Sequence, residues 1–181
     1  MTCVYAYDHL ARIKSVTQGQ ILATFDYDEL GQMNLISVQD ESSQQIVETR
    51  LTFDDQGRET VRHISLGGDH PAQTITQSYR DDNRLKNRHL QVGEQTELLE
   101  TFGYDQHGRM MEYICEGERQ PKDRYGNAIH NQLFTFDALD NITAVYTTFA
   151  DGTMDEAVSS FAQSDPCQLI RITHSHPDYV L

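Results

Sequence analysis

The chain has no tryptophan, only three cysteines and few basic residues. Its 14 Lys and Arg residues stand against 28 Asp and Glu residues, which gives a formal net charge of −14 at pH 7. Proteins that bind nucleic acid or anionic membranes need a basic surface to displace counterions. The charge therefore argues against both of these partner classes and leaves open a solubilising surface or a cationic partner.

Long apolar runs are also missing. No stretch approaches the roughly 18 consecutive apolar residues of a membrane-spanning helix. The segment Met1 to Leu10 has no basic start followed by an apolar run, so no Sec signal peptide is visible. We expect a secreted or cell-surface protein that is cytoplasmic before export and leaves by another route, unless the sequence lacks its natural N-terminus.

The cysteines show no pattern that indicates a disulfide framework or a metal site. Cys3, Cys115 and Cys167 are odd in number, far apart and without metal-type spacing. We expect buried or incidental thiols. A length of 181 residues suffices for a single domain, 1–181, with a real hydrophobic core, although the apolar content of 38% is low.

A short hairpin pattern lies near the middle of the chain, at residues 101–111. Tyr104-Asp105 ends one predicted strand, and Arg109 begins the next after a tight reversal through Gln106, His107 and Gly108. Asp105 can accept hydrogen bonds from backbone N–H groups that the reversal leaves free, while Gly108 supplies the left-handed residue that closes a three-residue hairpin. The segment predicts a complete β-hairpin turn.

Five further copies of this pattern occur, and each begins with Tyr or Phe. The aromatic residues of the six copies are Tyr7, Tyr27, Phe53, Tyr79, Tyr104 and Phe136. In five copies an aspartate follows, namely Asp8, Asp28, Asp54, Asp105 and Asp137. The left-handed position carries Gly31, Gly57, Gly108, Asn83, Asp140 or Ala11, of which only the alanine tolerates that conformation poorly. We predict that the aromatic residues, aspartates and left-handed residues are the structural motif of the repeat.

Residues on either side of each turn alternate between apolar and polar with a period of two, which indicates strands with two distinct faces. The hairpin copies lie near 5–16, 21–38, 46–65, 73–92, 97–115 and 132–149, with additional strands within 143–176. No stretch predicts a helix, and Asp151-Gly152 predicts a further hairpin turn. The sequence therefore predicts an all-β antiparallel meander of about a dozen strands.

The motif aromatic-Asp-x-x-Gly-Arg/Asn-apolar resembles the YD repeat of rearrangement-hotspot (RHS) proteins. The segment from Phe136 to Tyr179 is most similar to the C component of bacterial insecticidal toxin complexes and to related RHS polymorphic toxins. The resemblance implies a curved, open sheet that forms part of a β-shell around a toxic polypeptide. Its implied partners are other RHS or toxin-complex subunits or the enclosed toxin. Since Cys167-Gln168 follow Asp165-Pro166, the chain departs from the family's Asp-Pro-x-Gly cleavage motif, and we transfer neither cleavage nor toxicity.

Few residues suggest chemistry. His174, His176 and Asp178 are weak metal-ligand candidates, because strand alternation would put both imidazoles on one face. The alternative is a polar strand end interrupted by Pro177, and we predict no metal or other cofactor. Carboxylates repeated once per hairpin do not match a calcium loop or converge on a cleft, so we assign the repeated aspartates to turn capping.

These observations favour a non-enzymatic structural module, part of or derived from the β-shell of a toxin-delivery protein. An alternative from another class is a carbohydrate-binding or adhesive cell-surface module, in which the repeat aromatics stack on sugars beside Gln73, Thr74 and Gln77. We favour cross-hairpin packing for those aromatics. A metal-dependent hydrolase centred on His174 and His176 is the remote third reading. The open sheet edges predict self-association.

Overall fold

The computed structural model describes residues 2–179, so Met1, Val180 and Leu181 lie outside the described part of the predicted 1–181 domain. Its fourteen strands are β1 (Cys3–Tyr7), β2 (Ile13–Gln18), β3 (Ile21–Tyr27), β4 (Met33–Asp40), β5 (Gln45–Phe53), β6 (Glu59–Ser65), β7 (Gln73–Tyr79), β8 (Leu85–Val92), β9 (Gln95–Tyr104), β10 (Met110–Glu116), β11 (Ile129–Phe136), β12 (Ile142–Phe149), β13 (Met154–Phe161) and β14 (Leu169–Thr173). One 3₁₀ turn, Pro177–Tyr179, is the only helical segment within residues 2–179.

The strands follow one another in the sheet in chain order, from β1 to β14. Because this order does not return on itself, the sheet is open. The predicted fold class, an all-β antiparallel meander of successive hairpins, is confirmed. No helix in the described residues has the length and hydropathy needed to cross a membrane.

The chain divides into two compact units, which are described separately. The first contains residues 1–78 and 89–96, and the second contains residues 79–88 and 97–181.

In the first unit, the strand register separates apolar from polar side chains. Direct cross-strand partners on one face form a row across β1 to β5 that consists of Tyr5, Val16, Ala23, Val38 and Val47. The row displaced by one residue lies on the opposite face across β2 to β6 and consists of Ser15, Thr24, Ser37, Glu48 and Ser65. Since side chains alternate along each strand, these two rows place apolar side chains on one face of the unit and polar side chains on the other.

In the second unit, one row of direct cross-strand partners is largely polar. Direct partners across β9 to β13 are Phe102, Tyr113, Gln132, Thr147 and Asp155. The amide of Gln132 donates a hydrogen bond to Oγ1 of Thr147 at 3.2 Å. Hydrogen bonds between neighbouring side chains therefore satisfy polar groups that the sheet partly shields from water.

The expectation of a real hydrophobic core is wrong. Among residues 2–179, the buried apolar side chains are Cys115, Ala144 and Phe149, and the buried polar ones are Glu100, Thr147 and Asp155. Strands that follow one another within one sheet bury side chains mainly against adjacent strands, and burial across a core requires a second layer. Many large apolar side chains consequently remain exposed.

Candidate functional site in the repeated turns

The turn at Asp105 shows how the repeat reverses the chain. The backbone N–H of Asp105 donates to the carbonyl of Arg109 at 3.0 Å, and the N–H of Gly108 donates to the carbonyl of Asp105 at 3.1 Å. The carboxylate oxygen Oδ1 of Asp105 accepts hydrogen bonds from the N–H groups of His107 at 2.8 Å and Arg109 at 3.0 Å. Gly108 has a φ of 87°, the left-handed conformation that closes this three-residue hairpin. The aspartate therefore binds backbone donors left free by the reversal.

Four other copies close in the same way, with Oδ1 of the aspartate accepting two backbone N–H groups. These aspartates are Asp8, Asp28, Asp54 and Asp137. Their left-handed residues are Ala11 (φ 60°), Gly31 (φ 82°), Gly57 (φ 77°) and Asp140 (φ 65°). A register shift follows Ala6, Asp26, Thr52 and Thr135, just before the aromatic residue of each turn. Ala11 adopts the strained conformation because the capped turn requires it.

The copy that begins at Tyr79 keeps the turn but moves its carboxylate. Arg80 occupies the first position, and its carbonyl accepts a hydrogen bond from the N–H of Asn83 at 3.0 Å. Asn83 is left-handed, with φ at 68°. Oδ1 of Asp82 accepts the N–H of Arg84 at 3.2 Å, so the acidic cap comes from the third turn position.

Hydrogen bonding lowers the pKa of several turn carboxyls. At Asp54 the main cause is the backbone N–H of Arg58, and at Asp137 it is the side chain of Asn141; both lower the pKa of the carboxyl. At Asp105 partial burial opposes the shift, but hydrogen bonds from Arg109 outweigh it and the pKa is lowered. These carboxylates are stabilised in their charged form as turn caps.

The arginine after the turn links one copy to the next. Arg109 pairs with Asp105 of its own turn, with 2.7 Å between Nε and Oδ2. Its guanidinium carbon also lies 4.5 Å from the centre of the Phe136 ring in the following copy. From Nη1 it donates to Oδ1 of Asp140 at 2.7 Å and to the carbonyl of Asp137 at 3.2 Å. One side chain thus holds the Asp105 turn and the Asp137 turn together.

Two further copies show the same type of link. Arg12 lies 4.2 Å from the centre of the Tyr27 ring, and the Tyr27 hydroxyl donates to the carbonyl of Ile13 at 2.9 Å. Arg84 lies 5.5 Å from the centre of the Tyr104 ring, and that hydroxyl donates to the carbonyl of Leu85 at 2.9 Å. Sequence reasoning recorded the recurring arginine but gave it no role; its position after each turn was the available signal.

A seventh turn of this type went unrecognised in the sequence. The N–H of Asp123 donates to the carbonyl of Asn127 at 3.0 Å, and Oδ1 of Asp123 accepts the N–H groups of Tyr125 and Asn127, both at 2.8 Å. Gly126 has a φ of 93°. The spacing Asp-x-x-Gly-Asn matches the other copies. This turn was not predicted because Lys122 stands where the other copies have an aromatic residue.

The two candidate histidines follow β14, which ends at Thr173, instead of lying within a strand. The expectation that strand alternation puts both imidazoles on one face is therefore wrong. Oδ1 of the buried Asp155 accepts the N–H groups of Ser175 at 3.1 Å and His176 at 3.0 Å. These hydrogen bonds hold the backbone in a non-strand path after β14.

The side chains of this segment make structural contacts. Nδ1 of His174 lies 2.7 Å from Oδ2 of Asp155, and the His174 ring stacks on Tyr179 with 4.3 Å between ring centres. Nδ1 of His176 lies 3.7 Å from Oδ2 of Asp178. Across residues 2–179, no three His, Cys, Asp or Glu side chains are grouped so that they could hold a metal ion.

The segment is also tied to the seventh turn. The Tyr179 hydroxyl donates to Oδ2 of Asp123 at 2.7 Å, and the Asn127 amide donates to Oδ2 of Asp178 at 3.2 Å. Partial burial would raise the pKa of Asp123, but hydrogen bonds from Tyr179 and Asn127 lower that pKa to about 2. Burial and the same carboxylate raise the pKa of Tyr179.

We expect Tyr179→Phe to lower the free energy of unfolding by about 1 kcal/mol at neutral pH, because Asp123 loses a hydrogen bond to its charged form. A lowered pKa stabilises the fold above the unfolded-state pKa of about 4, and this contribution is lost as pH falls through about 2. The difference between wild type and variant should therefore shrink between pH 4 and pH 2 in urea denaturation. Tyr125→Phe is the matched control, since its hydroxyl accepts from Arg124 instead. A pH-independent difference would contradict the assignment.

An ion pair with a buried carboxylate and an exposed guanidinium lies among β8, β9 and β10 in the second unit. Glu100 is 4% exposed, and its Oε1 accepts hydrogen bonds from Nη2 of Arg88 and from the Tyr113 hydroxyl, each at 2.9 Å. A second hydrogen bond joins Nε of Arg88 to Oε2 of Glu100. Burial, followed by the contact with Glu100, raises the pKa of Tyr113. No sequence signal singled out this triad, because its members lie on three strands.

All three cysteines are free thiols. Cys115 is fully buried, its Sγ lies 2.9 Å from the carbonyl oxygen of Ile129, and burial raises the pKa of the thiol. Cys3 and Cys167 are exposed. Burial and the raised pKa make Cys115 a poor nucleophile.

The structure is that of a β-hairpin repeat protein: aspartate-capped hairpins follow one another in an open antiparallel sheet. The same fold occurs in the Tc holotoxin pore of Photorhabdus luminescens, in a structure that carries a TccC3 variant, and in the crystal structure of TcdB2-TccC3. Each aligns with a TM-score of 0.74 and 15% identity over 98% of this chain. This chain spans 9% of the length of either solved chain. No family model and no curated protein sequence matches it. The predicted resemblance to the C component of insecticidal toxin complexes is confirmed at the level of fold.

Proposed function

We propose that this chain is a non-enzymatic structural module, a stretch of wall in a toxin-complex type of protein that encloses and delivers a toxic polypeptide. The observation that carries the proposal is the exposed apolar row of the first unit. Within that row Tyr5 is 53% exposed, Val47 37% and Val38 36%. The likeness of fold to the Tc toxin structures supports the same assignment.

The two faces of the first unit are suited to different surroundings. An apolar face gains free energy when it covers apolar side chains, at about 25 cal/mol for each Å² removed from water. An unfolded polypeptide exposes such side chains along its whole length. The polar row with Ser37 and Glu48 at its centre suits contact with water. We therefore assign the apolar face to the enclosed polypeptide.

The repeat carboxylates support a structural role. Each Oδ1 atom of Asp8, Asp54 and Asp105 accepts two backbone N–H groups, while Oδ2 of the same residue pairs with an arginine. A catalytic carboxylate must instead reach a substrate in a cleft. These contacts stabilise the turns.

The proposal also covers partners and location. The edge strands β1 and β14 offer backbone donors and acceptors for other toxin-complex subunits or for a second copy of this chain. The protein would be made in the cytoplasm and then be secreted or displayed at the cell surface.

Binding of an unfolded polypeptide tests the apolar-face assignment. The probe is fluorescently labelled lysozyme, reduced and carbamidomethylated so that it stays unfolded. We expect the chain to raise its fluorescence anisotropy and to slow its digestion by trypsin. Val38→Gln, on the apolar row, should weaken binding by roughly three- to tenfold, because a buried aliphatic contact is lost.

The matched control is Ser37→Gln, which places the same side chain one residue away on the polar row. It should leave binding unchanged. Native lysozyme, with the same charge but a folded chain, should bind roughly tenfold more weakly than the unfolded probe, through charge attraction alone. The proposal fails if the unfolded probe does not bind or if both variants weaken binding equally.

The carbohydrate-binding alternative gains no support from the repeat aromatics. Arginine side chains cover the rings of Tyr27, Tyr104 and Phe136. Oγ1 of Thr74 lies 3.0 Å from Nδ1 of His63, and the Gln77 amide donates to the carbonyl of Glu59 at 3.4 Å. These contacts are the cross-hairpin packing that the sequence favoured.

A further inference from the structure

The second copy of the repeat lacks the arginine that follows the turn in the neighbouring copies. Gln32 stands at this position, where the first copy has Arg12 and the third has Arg58. Arg12 and Arg58 each lie 2.7 Å from Oδ2 of their own turn aspartate. Asp28, in the second copy, accepts backbone N–H groups at Oδ1, but its Oδ2 has no hydrogen-bond or ion-pair partner within residues 2–179.

A pocket of about 300 Å³ lies between the second and third turns, entirely within the first unit. Its lining residues include Asp28, Asp54 and Asp55, of which Asp54 is paired with Arg58, and Phe53, the aromatic residue of the third copy. Leu30, Asn34 and Leu51 also line it.

The pocket is lined by an aspartate and an aromatic residue, the same two groups that hold a guanidinium elsewhere in this chain. Arg12 lies between the Asp8 carboxylate and the Tyr27 ring, which belongs to the next copy. In the second copy the equivalent pair is Asp28 and Phe53. Gln32 is shorter and neutral, and its Nε2 points toward the third turn, 2.9 Å from where a Cβ on Gly57 would lie. It leaves the Asp28 charge uncompensated.

We propose that the pocket between the second and third turns binds an arginine side chain of a partner polypeptide. A guanidinium is planar, carries five donors and stacks on aromatic faces, so it can meet Asp28 and Phe53 at once. Lysine offers only a compact point charge. The formal charge of −14 favours a cationic partner through long-range attraction. The proposal goes beyond the structural role above and does not depend on it.

Binding of a short peptide tests the proposal. The probe is an acetylated and amidated Gly-Arg-Gly peptide, titrated into the ¹⁵N-labelled chain and followed through backbone amide shifts. We expect the amides of Leu30, Gln32 and Asn34 to shift with a Kd on the order of 10 mM, from a charge-assisted hydrogen bond and a cation–π contact together. The lysine and citrulline versions should bind roughly tenfold more weakly. Free arginine should also bind more weakly, since its carboxylate faces Asp28 and Asp55.

Three variants complete the test. Asp28→Asn keeps an oxygen that can cap the turn but removes the charge, and it should weaken binding roughly tenfold. Glu29→Gln makes the same charge change at the adjacent exposed position and should leave binding unchanged. Gln32→Arg supplies the missing guanidinium from within the chain, so it should raise the melting temperature and abolish peptide binding.

The proposal is overturned if the citrulline peptide binds as well as the arginine peptide. It is overturned equally if Asp28→Asn and Glu29→Gln have the same effect, which would indicate attraction by net charge alone. Undiminished binding to Gln32→Arg would place the peptide elsewhere on the chain.

Discussion

Arg88→Met is expected to lower the free energy of unfolding by about 2 to 3 kcal/mol. The substitution keeps the aliphatic stem but leaves the Glu100 carboxylate, 4% exposed, without its cation. Breaking a buried ion pair by removing one partner costs about 3 to 5 kcal/mol. We expect about 2 to 3 kcal/mol instead, because the Arg88 side chain is 44% exposed and water reaches part of the pair. Urea denaturation measures the effect.

The control is Arg50→Met, which makes the same change in an exposed pair. Arg50 and Glu48 have side chains 59% and 37% exposed, so this loss should stay below about 0.5 kcal/mol. Equal losses in the two variants would show that Glu100 is not desolvated enough to need Arg88. Adding Glu100→Gln to Arg88→Met should recover part of the stability, because the unpaired charge is then removed.

Gly108→Val is expected to destabilise the fold by about 1.5 to 3 kcal/mol. A β-branched residue forced to a φ near 87° costs about 1 to 2 kcal/mol. A Cβ at this position would also lie 2.7 Å from Cζ of Arg84, which must move away from the Tyr104 ring. The loss of that cation–π contact adds about 0.5 to 1 kcal/mol. Thermal and urea denaturation both measure the total.

Gly126→Val separates these two contributions. Gly126 has a similar φ of 93°, but a Cβ there would meet nothing within 4 Å. It should show only the conformational cost, about 1 to 2 kcal/mol. If the two valine variants lose the same stability, the contact between Arg84 and Tyr104 contributes nothing. If Gly108→Val costs nothing, the turn assignment itself is wrong.

The arginine links suggest how a sheet with so few buried side chains keeps its order. Each guanidinium joins a carboxylate of its own turn to an aromatic ring of the next copy, as Arg109 joins Asp105 to Phe136. Such links act on the turn edge, where backbone ladder hydrogen bonds have ended. They fix the spacing of neighbouring hairpins. The second copy lacks this link, because Gln32 stands where the first and third copies have an arginine.

The hairpins were predictable because their information is local. An aspartate that caps two N–H groups, and a left-handed residue three positions later, interact within five consecutive residues and need no distant partner. The miss at Asp123 came from requiring an aromatic residue before the aspartate. The turn itself does not need one, because the aromatic residue serves contacts between copies.

Contacts between copies were not predictable in the same way. The pairing of Arg12 with Tyr27, and that of Arg88 with Glu100 and Tyr113, depends on strand register. The position of His174 depends on Asp155, a residue of the preceding strand. Alternation along β14 could not reveal that the strand ends at Thr173.

Local chemistry was thus enough to set the class of fold, the six recognised hairpins and their left-handed turn residues. Tertiary structure alone decided which charges are paired, which side chains are buried and where an arginine is missing. The reason is physical: a turn is closed by atoms a few residues apart, whereas burial and ion pairing depend on which strands the sheet brings side by side.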